Sequence, residues 1–306
     1  MDAPDILCDF LSYHESVRGH SQKTVDEYYL DLRTMFRYLK LRKGLVPDDT
    51  PFDEIPIRDV DVNFISDITL NDIYDYLTFL SRERGLNTAS RARKVSTIRS
   101  FFKYMTNKTH QLSFNPVEDL DPPKILKALP KYLSLDESIQ LLNSVQGRYQ
   151  ERDYCILILF LNCGLRISEL VSLNTTDIHD DHIRVLGKGN KERVVYFDAR
   201  TKIHLQNYLN SRTDDNPALF VSLKAPHERL KIGGIETRLR EFGKQLGLHK
   251  VHPHKFRRTL ATMAIDKGMP IEQLQQLLGH RKIDTTLQYA MVKQSNVKIA
   301  HRKYIG

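Results

Sequence analysis

The sequence predicts a mainly α-helical protein with one small β-hairpin, divided into a helical N-terminal domain and a mixed α/β C-terminal domain. Three observations predict it. Apolar residues recur at helical spacing through Met105 and again from residue 199 onward. A Pro- and Lys-rich stretch over 115–131 separates the two regions. Alternating apolar positions flank Gly187-Lys188-Gly189-Asn190, the pattern of a hairpin. A chain of 306 residues has the length for two domains.

Residues 3–17 carry Ile6, Leu7, Phe10 and Leu11 at helical spacing. Ser21 and Thr24 precede a second helix that sets Tyr28, Leu32, Met35, Phe36 and Leu39 on one face, and Gly44 and Pro47 end it. Residues 45–66 contain three prolines and read as a long loop with some extended structure, of a length that suits contact with a partner. A third helix begins near Thr69 with Ile73, Tyr76, Leu77 and Leu80. A fourth starts at Thr88 and runs through Val95, Ile98, Phe101, Phe102 and Met105. The expected division is a helical domain over 1–112, a linker over 113–131 marked by Pro116, Pro122-Pro123 and Pro130, and a second domain with a C-terminal tail over 132–306. In the second domain Ser134 and Glu137 spell a capping box. The apolar run 153–163 is too long for a typical strand and reads as a buried helix. Ile183 and Val185 form one arm of the hairpin, and Val194-Val195-Tyr196-Phe197 the other.

Composition narrows the function classes. No apolar run reaches bilayer length, and the acidic N-terminus lacks the shape of a signal peptide, so a cytoplasmic chain without a membrane partner is expected. Cys8, Cys155 and Cys163 make no disulfide or metal framework, and the last two sit in apolar sequence as core residues. The formal charge of +8 suits a polyanionic partner. Arg82, Arg84, Arg91, Arg93, Lys94, Arg99, Lys103 and Lys108 are opposed only by Glu83. Such a stretch either neutralises backbone phosphates or forms a solvated helix face. Arg91, Arg93, Lys94 and Arg99 are the candidates for contact with a DNA groove.

Six polar residues over the second domain carry chemistry. Arg166 follows Gly164-Leu165 and precedes Glu169 at helical spacing. Lys188 sits at the hairpin tip. His254 and Arg257 share a helix face just after Pro253, His280 follows Leu277-Leu278-Gly279, and Tyr289 lies nine residues beyond His280. Arginine forks bind phosphate through paired hydrogen bonds and stay charged. A lysine can protonate a leaving alkoxide, and a tyrosine can act as a covalent nucleophile once its proton is lost. Taken singly, each has a plainer role as a surface cation, a helix cap or a packing ring. His249, His252 and His254 lack a carboxylate or cysteine at ligand spacing, so no metal is expected there.

Together and in this order, the six residues resemble the active site of the tyrosine recombinases, the lambda-integrase family, over roughly residues 130–295. Ser21-Gln22-Lys23-Thr24 with Tyr28, and Arg93 to Tyr104, resemble the family's helical core-binding domain. The overall size is most similar to the Xer-type members. The resemblance implies a catalytic domain of that type and a two-domain clamp on DNA. It implies Arg166 and Arg257 on the scissile phosphate, Lys188 as general acid for the 5′ oxygen, and His254 assisting proton transfer. His280 would donate to the phosphate and Tyr289 would form a 3′-phosphotyrosyl bond. It further implies no cofactor and no divalent metal, and double-stranded DNA with a specific recombination site as partner. Family members act as homo- or hetero-tetramers on two sites through a Holliday junction. The tail after Tyr289, with Val292, Val297 and Ile299, packs either on a neighbouring protomer or on its own domain. Resolution of replicon dimers and integration or excision of a mobile element both fit, as do the alternatives of type IB topoisomerase-like relaxation and non-catalytic DNA binding. One departure is Arg258, where the family often has histidine.

Overall fold

The computed structural model describes residues 3–124, 131–187, 191–248 and 250–290. It divides into two units, Met1–Lys127 and Ala128–Gly306, each with its own core.

The first unit is all helical. Helix α1 (Asp5–Ser12) runs on into a π-helical turn at Tyr13–Val17. Helices α2 (Gln22–Arg42), α3 (Val62–Ser66), α4 (Leu70–Arg82) and α5 (Thr88–Asn107) follow. Short polar side chains start three of them. Asp61, Thr69 and Asn87 each accept from a backbone N–H of the first turn, and Thr69 closes a capping box with Asp72. The apolar stripes read from the sequence meet in one core: Leu7, Phe10, Leu32, Met35, Phe36, Leu39, Ile73, Tyr76, Val95, Ile98, Phe101, Phe102 and Met105 are buried. Each such side chain contributes roughly 1.5–3 kcal/mol by leaving water. Val117 and Leu120 are buried in the same core, so the unit runs past residue 112 and the connecting stretch is shorter than its prolines alone suggest. Residues 125–130 lie outside the described residues.

The segment 45–66 is strapped to α2. Ile55, Ile57 and Val60 are buried. Arg37 Nε donates to the Ile55 carbonyl at 3.0 Å, and Lys40 Nζ donates to the Pro56 carbonyl at 2.8 Å and to Asp59 Oδ1 at 2.7 Å. Two long cations rising from α2 thus satisfy carbonyls that a proline-rich segment cannot pair along its own backbone.

The second unit places a two-stranded sheet beside helices. Helix α6 (Leu135–Asn143) opens with the Ser134/Glu137 capping box. Helix α7 (Gln150–Cys163) is the buried helix that the apolar run predicts, and Cys155, Leu157, Leu159, Phe160 and Cys163 are fully enclosed. Burial pushes the Cys163 thiol up to about 12, as befits a core residue. Helix α8 (Ile167–Ser172) leads to β1 (His182–Gly187), paired antiparallel with β2 (Lys191–Tyr196) in a register that sets Ile183 opposite Val195. Then come α9 (Ala199–Asn210), α10 (Ile232–Gln245), α11 (Pro253–Asp266), α12 (Ile271–Leu278) and α13 (Asp284–Ala290). Helices α9 and α11 flank α7, with Phe256 of α11 stacked on Phe160 at 5.6 Å. Buried Asp153 accepts from Arg238 Nε at 2.6 Å and ties α10 to α7. No helix among the described residues is long and apolar enough to cross a membrane.

Candidate active site

Two glycine-ended helices build the site. Helix α7 stops at Gly164, whose left-handed φ of 58° turns the chain. The left-handed turn favours glycine, and a Cβ there, 2.6 Å from Leu260 Cδ2, would also displace that side chain. The Gly164 carbonyl accepts Arg257 Nη1 at 2.6 Å. Two residues later Arg166 caps α8. Its backbone N–H donates to Glu169 Oε2 at 2.8 Å and its Nη1 to Glu169 Oε1 at 2.6 Å. A loop cation is thereby fixed to a rigid helix start.

Helix α12 ends at Gly279, with φ of 61°. Its last three carbonyls each take a different arginine. Arg193 Nε donates to Leu277 O at 3.2 Å, Arg257 Nη2 donates to Leu278 O, and Arg166 Nη2 donates to Gly279 O at 3.2 Å. Carbonyls at a helix C-terminus carry partial negative charge and lack helical partners, so they suit cations. Arg193 also meets Glu169 through both Nη atoms, at 2.8 Å each. Burial alone would raise the Glu169 carboxyl, but hydrogen bonds from Arg193 and Arg166 outweigh it and hold the group at about 2. Three guanidinium groups face one carboxylate, and the pocket keeps a surplus of positive charge. Burial, with Arg166 alongside, pulls the Arg257 guanidinium down to about 10, still charged at neutral pH.

His280 follows Gly279, and its Nδ1 lies 2.9 Å from Thr286 Oγ1. Burial, then the charges of Arg257, Arg166 and Arg193, push its imidazole down to about 4. The ring is therefore neutral at neutral pH. The Tyr289 ring lies nearly parallel to it, 6.2 Å between centroids, and packs on Ala261, Leu274 and Leu278. His254 stands exposed in the first turn of α11, one turn before Arg257. Partial burial, with Arg258, Arg257 and Arg166, lowers its pKa. Lys188 and His249 lie outside the described residues, as does the tail 291–306.

The structure thus brings Arg166, Arg257, His280 and Tyr289 together, with His254 on the same helix as Arg257. It adds Arg193, which sequence reasoning missed. A signal was present: Arg193 falls on the same strand face as buried Val195, opposite buried Val185. An arginine at an inward strand position needs a partner. Chemically, the arrangement can hold a tetrahedral anion by arginine forks, with a neutral imidazole as a further donor and a phenol beside it.

The four candidates for groove contact lie in the first unit, on α5. Arg93 donates to Asp31 through Nη1 and Nη2, at 2.7 and 2.9 Å, and Lys94 Nζ donates to Asp31 Oδ1 at 2.8 Å. Thr97 Oγ1 adds a further bond at 2.9 Å. Asp31 is 1% exposed and Lys94 8%. Lys94 therefore cross-links α5 to α2 and does not face a groove while that pair stands. Arg93 and Arg99 are exposed, Arg99 donating to the Leu120 carbonyl at 3.1 Å, and Arg91 is half-buried.

Comparison with known proteins agrees with this geometry. The profile of the Phage integrase family matches residues 131–296, and that of the Phage integrase, N-terminal SAM-like domain matches residues 58–109. The chain is 42% identical to tyrosine recombinase XerC of Caldanaerobacter subterraneus subsp. tengcongensis, over 98% of this chain and 86% of the relative. It is 30% identical to tyrosine recombinase XerD of Listeria monocytogenes serotype 4b, over 98% of both chains. Its fold is similar to that of the XerH site-specific recombinase bound to palindromic difH substrate in a post-cleavage complex. The TM-score is 0.72 and the identity 18%, over 98% of this chain and 85% of that one. The chain belongs to the phage integrase family, as a tyrosine-type site-specific DNA recombinase most similar to the Xer recombinases.

Proposed function

We propose that Tyr289 attacks the scissile phosphate of a double-stranded DNA recombination site and leaves the strand joined to the enzyme through a 3′-phosphotyrosyl bond. The phenolic oxygen forms the new bond to phosphorus and the bond from phosphorus to the 5′ oxygen breaks. The phenolic proton passes toward His254, and Lys188 supplies a proton to the departing 5′ oxygen. Arg166 and Arg257 grip the non-bridging oxygens, and His280 donates to one of them. The observation that carries this reading is that Arg166 and Arg193 share Glu169 while Arg193, Arg257 and Arg166 take the successive carbonyls of Leu277, Leu278 and Gly279 at the end of α12, beside the paired rings of His280 and Tyr289. The surplus positive charge of the pocket stabilises the negative charge that builds on the phosphate oxygens during the attack.

The first unit serves as the DNA-binding domain. The protein acts in the cytoplasm as a homo- or hetero-tetramer on two sites, exchanging strands through a Holliday junction. An open apolar groove of about 580 Å³, lined by Leu135, Ile139, Leu142, Leu161, Leu260 and Met263, suits the tail of a neighbouring protomer. Similarity to XerC and XerD along nearly the whole chain favours resolution of replicon dimers over mobile-element integration.

The test is covalent trapping. A nicked substrate from the native locus, from which the cleaved fragment diffuses away, is incubated with protein in EDTA, and an SDS-stable adduct is sought. The adduct is expected for wild type and absent for Tyr289→Phe with DNA binding retained. An adduct that survives Tyr289→Phe overturns the assignment. Relaxation of site-free plasmid by monomer would point to topoisomerase-like action instead.

A further inference from the structure

We infer that Thr286 is a positioning residue for His280: its hydroxyl donates to Nδ1 and so keeps the ring proton on Nε2, the nitrogen left free to reach the phosphate. The inference rests on the reading of His280 as a phosphate donor.

Thr286 is 0% exposed, and its Oγ1 lies 2.9 Å from His280 Nδ1. Either atom of such a pair can be the donor, because a hydroxyl gives or accepts and a neutral imidazole has one nitrogen of each kind. Burial decides between them. If Nδ1 carried the proton, the enclosed Thr286 hydroxyl hydrogen would need another acceptor, and Thr286 Oγ1 makes no other hydrogen bond among the described residues. An unmet buried donor costs about 1–3 kcal/mol. With the hydroxyl donating to Nδ1, both groups are satisfied. The proton of the neutral ring then sits on Nε2.

The neighbouring contacts fit this role. The His280 backbone is held at both ends by Gln275, whose carbonyl accepts the His280 N–H at 3.1 Å and whose Nε2 donates to the His280 carbonyl at 3.0 Å. Helix α12 therefore fixes where His280 stands, and Thr286 fixes how its ring is turned. Burial, with the charges of Arg257, Arg166 and Arg193, keeps the ring unprotonated, so its tautomer matters. Thr286 lies one turn before Tyr289 on α13, on the same helix face. The nucleophile and the group that sets the phosphate donor thus share one element, and a displacement of α13 that moves Tyr289 also releases His280.

Nitrogen NMR of the full-length protein labelled at histidine tests this directly, with His280→Gln identifying the resonance by its loss. The expected result is a pyrrole-type Nε2 and a pyridine-type, hydrogen-bonded Nδ1. The same preparations are assayed for single-turnover cleavage of the nicked substrate. Thr286→Val is expected to lose the Nδ1 hydrogen-bond signature and to cleave about tenfold more slowly at unchanged DNA affinity, the worth of one hydrogen bond. Thr286→Ser, which keeps the hydroxyl, is expected to retain both signature and rate. A protonated Nδ1 in wild type overturns the inference. So does full activity of Thr286→Val, or equal impairment of the serine and valine variants, which would mark a packing role. If His280→Gln itself cleaves at the wild-type rate, the reading of His280 as phosphate donor fails, while the NMR still reports the tautomer.

Discussion

Glu169 accepts the Arg193 guanidinium through both carboxylate oxygens, Nη1 on Oε1 and Nη2 on Oε2 at 2.8 Å each, while Oε1 also takes Arg166 Nη1 at 2.6 Å. The carboxylate is 4% exposed, so the arrangement stands or falls on its charge. Its folded pKa of about 2 lies below the ordinary 4.5. A depressed acid stabilises the folded state above its unfolded pKa and loses that contribution as pH falls through the folded one. The contribution at neutral pH is about 3 kcal/mol. Urea unfolding of wild type and Glu169→Gln should therefore show a gap that is full above about pH 5 and narrows as pH falls from about 4.5 toward about 2. A gap independent of pH would show that the charge of Glu169 does not hold the cluster.

Arg193 touches Glu169 and the end of α12, and so acts on Arg166 and His280 through them. Arg193→Ala is expected to cut single-turnover cleavage by up to about 100-fold, the scale of a small misplacement of reacting groups. DNA affinity by gel shift should change little. Arg193→Lys should rescue poorly, because an ammonium cannot span both carboxylate oxygens. Full rescue by lysine would reduce the role of Arg193 to its charge.

Much of this was legible in the sequence because it is local. Helical stripes, the Ser134/Glu137 box, the glycine stop at 279 and the hairpin alternation all follow from residues a few positions apart. Arg166, His254, Arg257, His280 and Tyr289 stood out only as a set, through the family resemblance that their order carries. What escaped depends on pairs far apart in the chain. Lys94 looked like its basic neighbours until Asp31, on another helix, took it into the core. Arg193 drew no reading, because its partner Glu169 lies 24 positions away in the chain. The strap over 45–66 looked open until Arg37 and Lys40 reached its carbonyls. Charge counts along a sequence do not say which cations are already neutralised within the fold.

Gly164 holds a left-handed turn and gives Arg257 its carbonyl acceptor. Gly164→Ala adds a Cβ 2.6 Å from Leu260 Cδ2 and 3.1 Å from Leu278 Cδ2, in a conformation that side chains disfavour. The turn and the crowding together should cost about 3 kcal/mol, read as a lower midpoint in urea. Cleavage by the remaining folded protein should also fall, because the shifted carbonyl no longer sets Arg257. A variant destabilised but fully active per folded molecule would separate Gly164 from the site.

The first unit offers a test that sorts structural cations from DNA-facing ones. Lys94 is buried on Asp31, whereas Arg99 is exposed and, among the described residues, bound to the Leu120 backbone carbonyl. If Arg99 contacts a phosphate, Arg99→Gln should reduce the slope of log affinity against log salt by about 1. Lys94→Gln should leave that slope unchanged and instead lower unfolding stability, by about 1–3 kcal/mol, since it removes a hydrogen-bonded charge from a buried carboxylate. Asp31→Asn should be harsher, about 3–5 kcal/mol, because Arg93 and Lys94 both lose their shared partner. Filter-binding titrations at several salt concentrations, set beside urea unfolding of the same proteins, separate the two effects. Should Lys94→Gln flatten the salt slope as much as Arg99→Gln does, the pair with Asp31 must open when DNA binds, and α5 would present Lys94 to the duplex after all.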